Sequence, residues 1–179
     1  SHGNIGVALT NMYDSDDSYE KSTIKDGKII IKNPCVNFLG ASTKEWLVKA
    51  IPVEQIAGGF ASRIIFVVEE GKPDKLIPWP KRTPETDSLR ARLIEDLNRI
   101  HHIKGPMTIE PEAFEYFKTW YKQMKSKEPD DFRFKGYYGR KDSTVKKIAM
   151  CISAMERDDR LIMQSHMEMA VSMMNDLEA

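Results

Sequence analysis

At 179 residues, 41% hydrophobic and 30% charged, the chain has the composition of a soluble globular protein. Its length suits one domain, or a half-domain with a helical module attached. A formal net charge of zero excludes a global field drawing it to nucleic acid or membrane, so any such attraction must be local. No run approaches the roughly 18 apolar residues of a membrane span, and no signal peptide is visible.

Ile5, Ala8, Leu9 and Met12 are spaced for one face of a short helix, which the acidic, turn-prone Asp14-Ser15-Asp16-Asp17-Ser18 ends. That acidic run lacks the glycine and distal glutamate of a calcium loop and reads as solvated. Lys25-Asp26-Gly27 between β-prone residues signals a hairpin. Pro34 then precedes the apolar run Cys35 to Leu39, which stops at Gly40-Ala41-Ser42-Thr43 and reads as a buried strand with a polar end. Thr43 caps a helix over Lys44 to Ala50 with Trp46, Leu47 and Ala50 inward. Val53, Ile56 and Ala57 suit a further helical turn. Gly58-Gly59 permits positive φ before Phe60-Ala61-Ser62-Arg63 and a second buried strand, Ile64 to Val68. An arginine set directly against a buried strand calls for a partner, either a surface carboxylate or a ligand, because ligands gather at strand ends in open α/β sheets.

A connection rich in proline and lysine (Pro73, Pro78, Pro80) follows, and beyond it the pattern turns helical. Thr83-Pro84-Glu85 starts a helix whose stripe is Leu89, Leu93, Leu97 and Ile100. Met107-Thr108-Ile109 is a short strand. Pro111 opens a helix with Ala113, Phe114, Phe117, Trp120, Tyr121 and Met124 on one face, an aromatic stripe expected in the core. Val145, Ile148, Ala149, Ile152 and Met155 mark a third helix. Leu161-Ile162 is a second short run. Ser165 to Glu168 has capping-box spacing for a last helix with Ala170, Val171, Met174 and Leu177 inward.

The two cysteines, Cys35 and Cys151, lie in apolar runs and read as reduced core thiols. His101-His102 falls at a helix end, where a histidine interacts with the dipole, and no metal site is expected. Between Asp130 and Lys147 six basic residues stand against three acidic ones. Phe132, Phe134, Tyr137 and Tyr138 interleave with Arg133, Lys135, Arg140 and Lys141. That mixture supplies charge for a phosphate backbone and flat faces for unstacked bases, so Arg133, Lys135, Phe134 and Tyr137 are candidate nucleic-acid contacts. The competing reading places the aromatics on the core and the charges in solvent.

GAST, a helix, then GGFASRIIFV together resemble the second half of a P-loop ATPase core of the AAA+ or RecA-like kind. More narrowly, they resemble the primase-helicase-like ATPases of phages and mobile elements. The resemblance is closest over residues 33–67 and looser elsewhere. It implies an α/β (α+β fragment) class: a partial P-loop NTPase sheet over residues 1–72, a connection over 73–83, and a helical lid with winged-helix character over 84–179. It also implies roles. Ser42 or Thr43 would be the catalytic sensor, Arg63 the arginine finger, and Arg140, with Lys141 second, a nucleotide sensor. The parent would bind ATP and magnesium, form a ring-like homo-oligomer, act on DNA and work in the cytoplasm of a bacterial host.

G-x-x-x-x-G-K-[ST], the loop that cradles phosphates, is missing from the sequence, as is a strand ending in an acidic pair. The chain alone is therefore expected to bind no ATP tightly and to be inactive, its own N-terminal ATPase half being the first partner. The alternative is a non-catalytic DNA-binding or oligomer-assembly module.

Overall fold

The computed structural model describes residues 3–14, 16–23, 27–51, 59–68, 79 and 81–178. The chain divides into two units, each assembled from two stretches. One comprises Ser1–Ile65 with Glu128–Lys141, the other Phe66–Lys127 with Asp142–Ala179. The class is mixed helix and strand, with two small two-stranded sheets among the described residues.

The first unit opens with helix α1 (Gly3–Met12) and a hairpin of β1 (Ser18–Thr23) and β2 (Gly27–Lys32). The strands pair antiparallel from Ser18 opposite Lys32 to Thr23 opposite Gly27. Gly27 takes the positive φ of 70° expected of it, while Lys25 and Asp26 lie outside the described residues. Helix α2 (Lys44–Ala50) starts where expected, the Thr43 hydroxyl accepting from the Trp46 amide at 3.2 Å. A single 3-10 turn follows at Ala61–Arg63. The expected turn at Val53, Ile56 and Ala57, and Gly58, lie outside the described residues, as do Pro73, Pro78 and Pro80.

Neither expected core strand forms. Residues 35–39 and 64–68 are irregular, and Leu39 is 99% exposed. Phe38, Val67 and Val68 are exposed as well. A buried parallel strand needs a neighbour on each edge to take its N–H and C=O groups. Among the described residues this unit has one sheet, the hairpin, and it pairs with neither run. The partial P-loop sheet is therefore not formed among the described residues. Trp46, expected inward, is also exposed.

The second unit holds the apolar core. Helix α3 (Pro84–His101) is followed by β3 (Thr108–Ile109), α4 (Pro111–Ser126), α5 (Phe132–Glu156), β4 (Leu161–Ile162) and α6 (Gln164–Asp176). The boundary between the units falls within α5, after Lys141. Among the described residues the buried alanine, valine, isoleucine and methionine side chains lie in this second unit, whereas the first unit buries Pro34. Ala113 and Met124 come from α4, Val145, Ala149 and Ile152 from α5, Ile162 from β4, and Met167, Ala170, Val171 and Met174 from α6. Ala113 and Ala170 are fully buried, and such small residues let α4 and α6 pack closely.

The two short strands form as expected but pair in parallel, unlike a hairpin wing, with Thr108 opposite Leu161 and Ile109 opposite Ile162. Ser153, buried on α5, donates to the Leu161 carbonyl at 2.8 Å and fixes β4 to that helix. Nearby, Gly105 has φ 103° and lies against the Arg160 guanidinium, which donates to the Lys104 carbonyl at 2.8 Å; a side chain there would meet both constraints at once. Helix α6 starts two residues earlier than the Ser165 box implies, with Met163 rather than Ser165 at the cap. The Met163 amide donates to His166 Nδ1 at 3.1 Å, so the buried His166 donates through Nε2 to Glu156 at 3.1 Å.

Three core assignments need correction. The Leu89, Leu93 and Leu97 stripe of α3 is exposed, and that helix has no buried residue. Phe114, Tyr121, Met155 and Leu177 lie at the rims of their faces and are exposed. Cys35 and Cys151 are exposed rather than core thiols. A small aromatic disulfide reagent should therefore label both cysteines of the native chain nearly as fast as those of the unfolded chain. Protection of either by more than about tenfold would return it to an apolar site.

Candidate functional site

The first unit brings together two arginines that the sequence keeps far apart. Arg63 ends the 3-10 turn after Gly59, whose φ of 83° only glycine adopts without strain. That turn folds the side chain back, so that Arg63 Nη1 donates to the Gly59 carbonyl at 2.7 Å and Ser62 Oγ donates to the same oxygen at 2.8 Å. A Cβ at Gly59 would sit 2.9 Å from Arg63 Nη1. Gly59 thus lets the backbone approach the chain's own guanidinium closely.

Helix α5 supplies the other arginine. At Gly136 it passes close over the turn, where a Cβ would lie 3.5 Å from that of Ser62. Arg140, one helical turn further on, shares that face. Both guanidiniums close on Asp14. Arg63 Nη2 lies 3.2 Å from Asp14 Oδ2, and Arg140 spans both oxygens at 3.0 and 3.4 Å. Both also lie over the Tyr13 ring, at 5.6 and 5.8 Å from its centroid, within the range of cation–π attraction.

Two guanidiniums thus share the Asp14 carboxylate. The Arg63 side chain is 12% exposed, and its Nε is buried with no hydrogen-bond partner among the described residues. Hydrogen bonding from Arg140, then from Arg63, holds the Asp14 carboxyl below its ordinary pKa against the opposing effect of burial. A depressed carboxyl contributes stability above the ordinary carboxylate pKa, and that contribution is lost as pH falls through the lowered value.

The remaining candidates are placed differently. Thr43 is the α2 cap, and Ser42 Oγ donates to the Thr43 carbonyl at 3.3 Å. Lys141 is buried, its ammonium 5.7 Å from the Tyr138 ring centroid. Arg133 is engaged by Asp131 through its backbone N–H at 2.9 Å and its guanidinium at 2.6 Å, which lowers the Asp131 pKa. Phe134 and Lys135 are exposed, and Tyr137 packs edge-on against Tyr138 at 5.4 Å. The sequence reading missed Tyr13 and Asp14, which it assigned to the end of a helix and a solvated loop. Their one signal was that Arg63 called for a carboxylate or a ligand.

His102 Nδ1 meets the Asn98 carbonyl at 2.6 Å, at the negative end of α3. Among the described residues no group of three or more His, Cys, Asp or Glu could hold a metal ion, and no helix is long and apolar enough to cross a membrane. No family model, curated protein or solved structure matches the chain.

Proposed function

We propose that this chain is the sensor-and-arginine half of a P-loop ATPase of the phage or mobile-element primase-helicase kind, working with a nucleotide-binding half on the same polypeptide. The observation that carries the reading is the convergence of Arg63 and Arg140 on one carboxylate. Guanidinium forks match carboxylate and phosphate oxygens with the same geometry, so a pair assembled around Asp14 is also assembled for phosphate. Arg63 offers its charge to the transferring phosphoryl group of a neighbouring subunit in a ring, and Arg140 contacts phosphate beside it. Thr43 is occupied as a cap, which leaves Ser42 as the hydroxyl that orients the attacking water. Lys141, being buried, supports the helix rather than the nucleotide.

Magnesium and the triphosphate would be held by the other half, since this sequence carries neither a phosphate loop nor a strand ending in an acidic pair. The exposed runs at residues 35–39 and 64–68 have the composition of sheet strands, and that half would supply their neighbours. DNA is the proposed substrate of the assembled motor, in the cytoplasm of a bacterial host.

Calorimetric titration of the isolated chain with ATP and magnesium is expected to show no saturable binding at micromolar protein, because the backbone phosphate cradle is missing. Saturable binding with hydrolysis by this chain alone would overturn the proposal. So would a start codon at Ser1 in the source gene, in place of an open upstream frame encoding a phosphate loop.

A further inference from the structure

Helix α4 presents a second face beside the one it buries. Ala113 and Met124 are buried, and Phe117 meets the neighbouring Trp120 ring at 5.5 Å. Past Phe117 the helix opens to solvent, where Tyr121 is 38% and Phe114 52% exposed. At about 100° per residue, Phe117, Tyr121 and Phe114 fall within roughly 60° of one another, and Lys125, Lys118 and Lys122 fill roughly the next 60°. An aromatic strip therefore runs along the helix with a strip of lysines at its side. Each is about 10 Å long, because Phe114 and Tyr121, like Lys118 and Lys125, lie two helical turns apart.

Packing and capping do not account for either strip. The Phe117 and Tyr121 rings lie 6.3 Å apart and 26° from parallel, so Phe117 braces the exposed Tyr121 ring. A basic residue in the last turn suits the helix dipole, which explains Lys125 but not Lys118 or Lys122. Lys118 holds Glu115 at 3.1 Å in an exposed pair, a contact weak enough to exchange. Lys122 has no ion-pair partner among the described residues. From Phe114 to Lys127 four lysines stand against one acid, Glu115. Lys125 Nζ is 6.0 Å from the Tyr121 ring centroid and Lys146 Nζ, from α5, is 5.5 Å from that of Phe117. Cations thus border the aromatic strip on both sides.

Such a surface fits a partner with negative charges along one side and flat faces along the other. A single nucleic-acid strand is built that way, from phosphates and unstacked bases. An acidic peptide satisfies the lysines but has no plane to lay on Tyr121 or Phe114, and a duplex keeps its bases stacked inside. We infer that this face of α4 binds a single strand, with bases on Tyr121 and Phe114 and phosphates along Lys118, Lys122 and Lys125. The strip accommodates roughly three nucleotides at about 3.4 Å per step. It is a different surface from Arg133 to Tyr137, which belong to the first unit. The choice of DNA as the strand rests on the function proposed above, whereas the surface itself does not.

Fluorescence anisotropy of a labelled oligothymidine, titrated with the full chain at several salt concentrations, tests the inference. Circular dichroism confirms that each variant keeps its helix content. Tyr121→Ala should weaken binding at least about fivefold with the salt slope unchanged, and Tyr121→Phe, which keeps the flat ring, should bind like the wild type. Lys118→Ala and Lys122→Ala should each lower the log–log salt slope by about 0.7. Gln123→Ala, on the polar side of the same helix, should change neither quantity. Because no ATP enters the assay, loss of strand binding and loss of ATPase activity are separate results. No binding at protein concentrations up to about 10⁻⁴ M would overturn the inference. So would a duplex of the same length bound as tightly, displacement of the strand by polyglutamate of equal charge, or a Tyr121→Ala variant that binds like the wild type. Binding of oligouridine alone would overturn the choice of DNA.

Discussion

In the parent protein, under the ATPase reading proposed above, Arg63→Ala is expected to lower turnover by at least about 10²-fold while leaving ATP affinity much less changed. A guanidinium that stabilises a transferring phosphoryl group typically contributes about 10³–10⁵ in rate, and it does so in the transition state rather than in the bound complex. Arg63→Lys should not rescue, because an ammonium lacks the planar fork. Since Arg63 also holds Asp14 at 3.2 Å, the loss needs a control that separates the two contacts. Asp14→Asn removes the anion and leaves both guanidiniums in place. If Arg63 serves only to tie Asp14 down, that variant should lose as much activity as Arg63→Ala; if Arg63 meets phosphate, Asp14→Asn should keep its turnover or raise it. Mixed oligomers decide whether the contact is made across a subunit boundary. Arg63→Ala subunits combined with subunits that lack the phosphate loop but retain Arg63 should regain activity. Near-normal turnover in the homogeneous Arg63→Ala oligomer would return the residue to a structural ion pair.

The largest stability effect should come from α6. Met167 is fully buried, in the unit that holds the buried aliphatic and methionine side chains among the described residues. Met167→Ala removes buried surface and leaves a cavity, and is expected to cost about 2–5 kcal/mol. Leu39, equally apolar and 99% exposed, should tolerate alanine within about 0.5 kcal/mol. Urea unfolding of both variants measures the contrast. An equal loss at the two sites would mean that the run at residues 35–39 is packed after all.

These two positions also show where the sequence was legible. Capping and turn chemistry act within a few residues, so the Thr43 and Thr83 caps, the hairpin closed at Gly27 and the helix opened by Pro111 could be read directly. Whether an apolar run is buried depends on what is available to cover it. Periodicity predicts the Leu89, Leu93 and Leu97 stripe and the Val145, Ala149 and Ile152 stripe alike, yet only the second is covered. Cys35 and Leu39 failed for the same reason, since a strand pattern forms a strand only beside another strand. At the site, Arg63 drew attention because charge set against an apolar run calls for a partner, whereas Arg140 was chosen through the resemblance alone. Asp14 was not legible, because the carboxylate that joins them sits in an ordinary acidic turn, and no local pattern encodes a contact spanning 126 residues.

The division of the molecule into units sets a timetable for its synthesis. Glu128–Lys141 belongs with Ser1–Ile65, so the chain leaves its first unit, lays down much of the second, and then returns. Asp14 and Arg63 leave the ribosome long before Arg140 does. At about 5–20 residues per second, Asp14 faces a single arginine for roughly 4–15 s. The cluster around Tyr13 is completed only when translation has passed through α4 and entered α5. A chain that stalls or is cut before that point carries Arg63 and Asp14 without their third member, so the charge cluster marks a nascent chain that has passed the first stretch of the second unit.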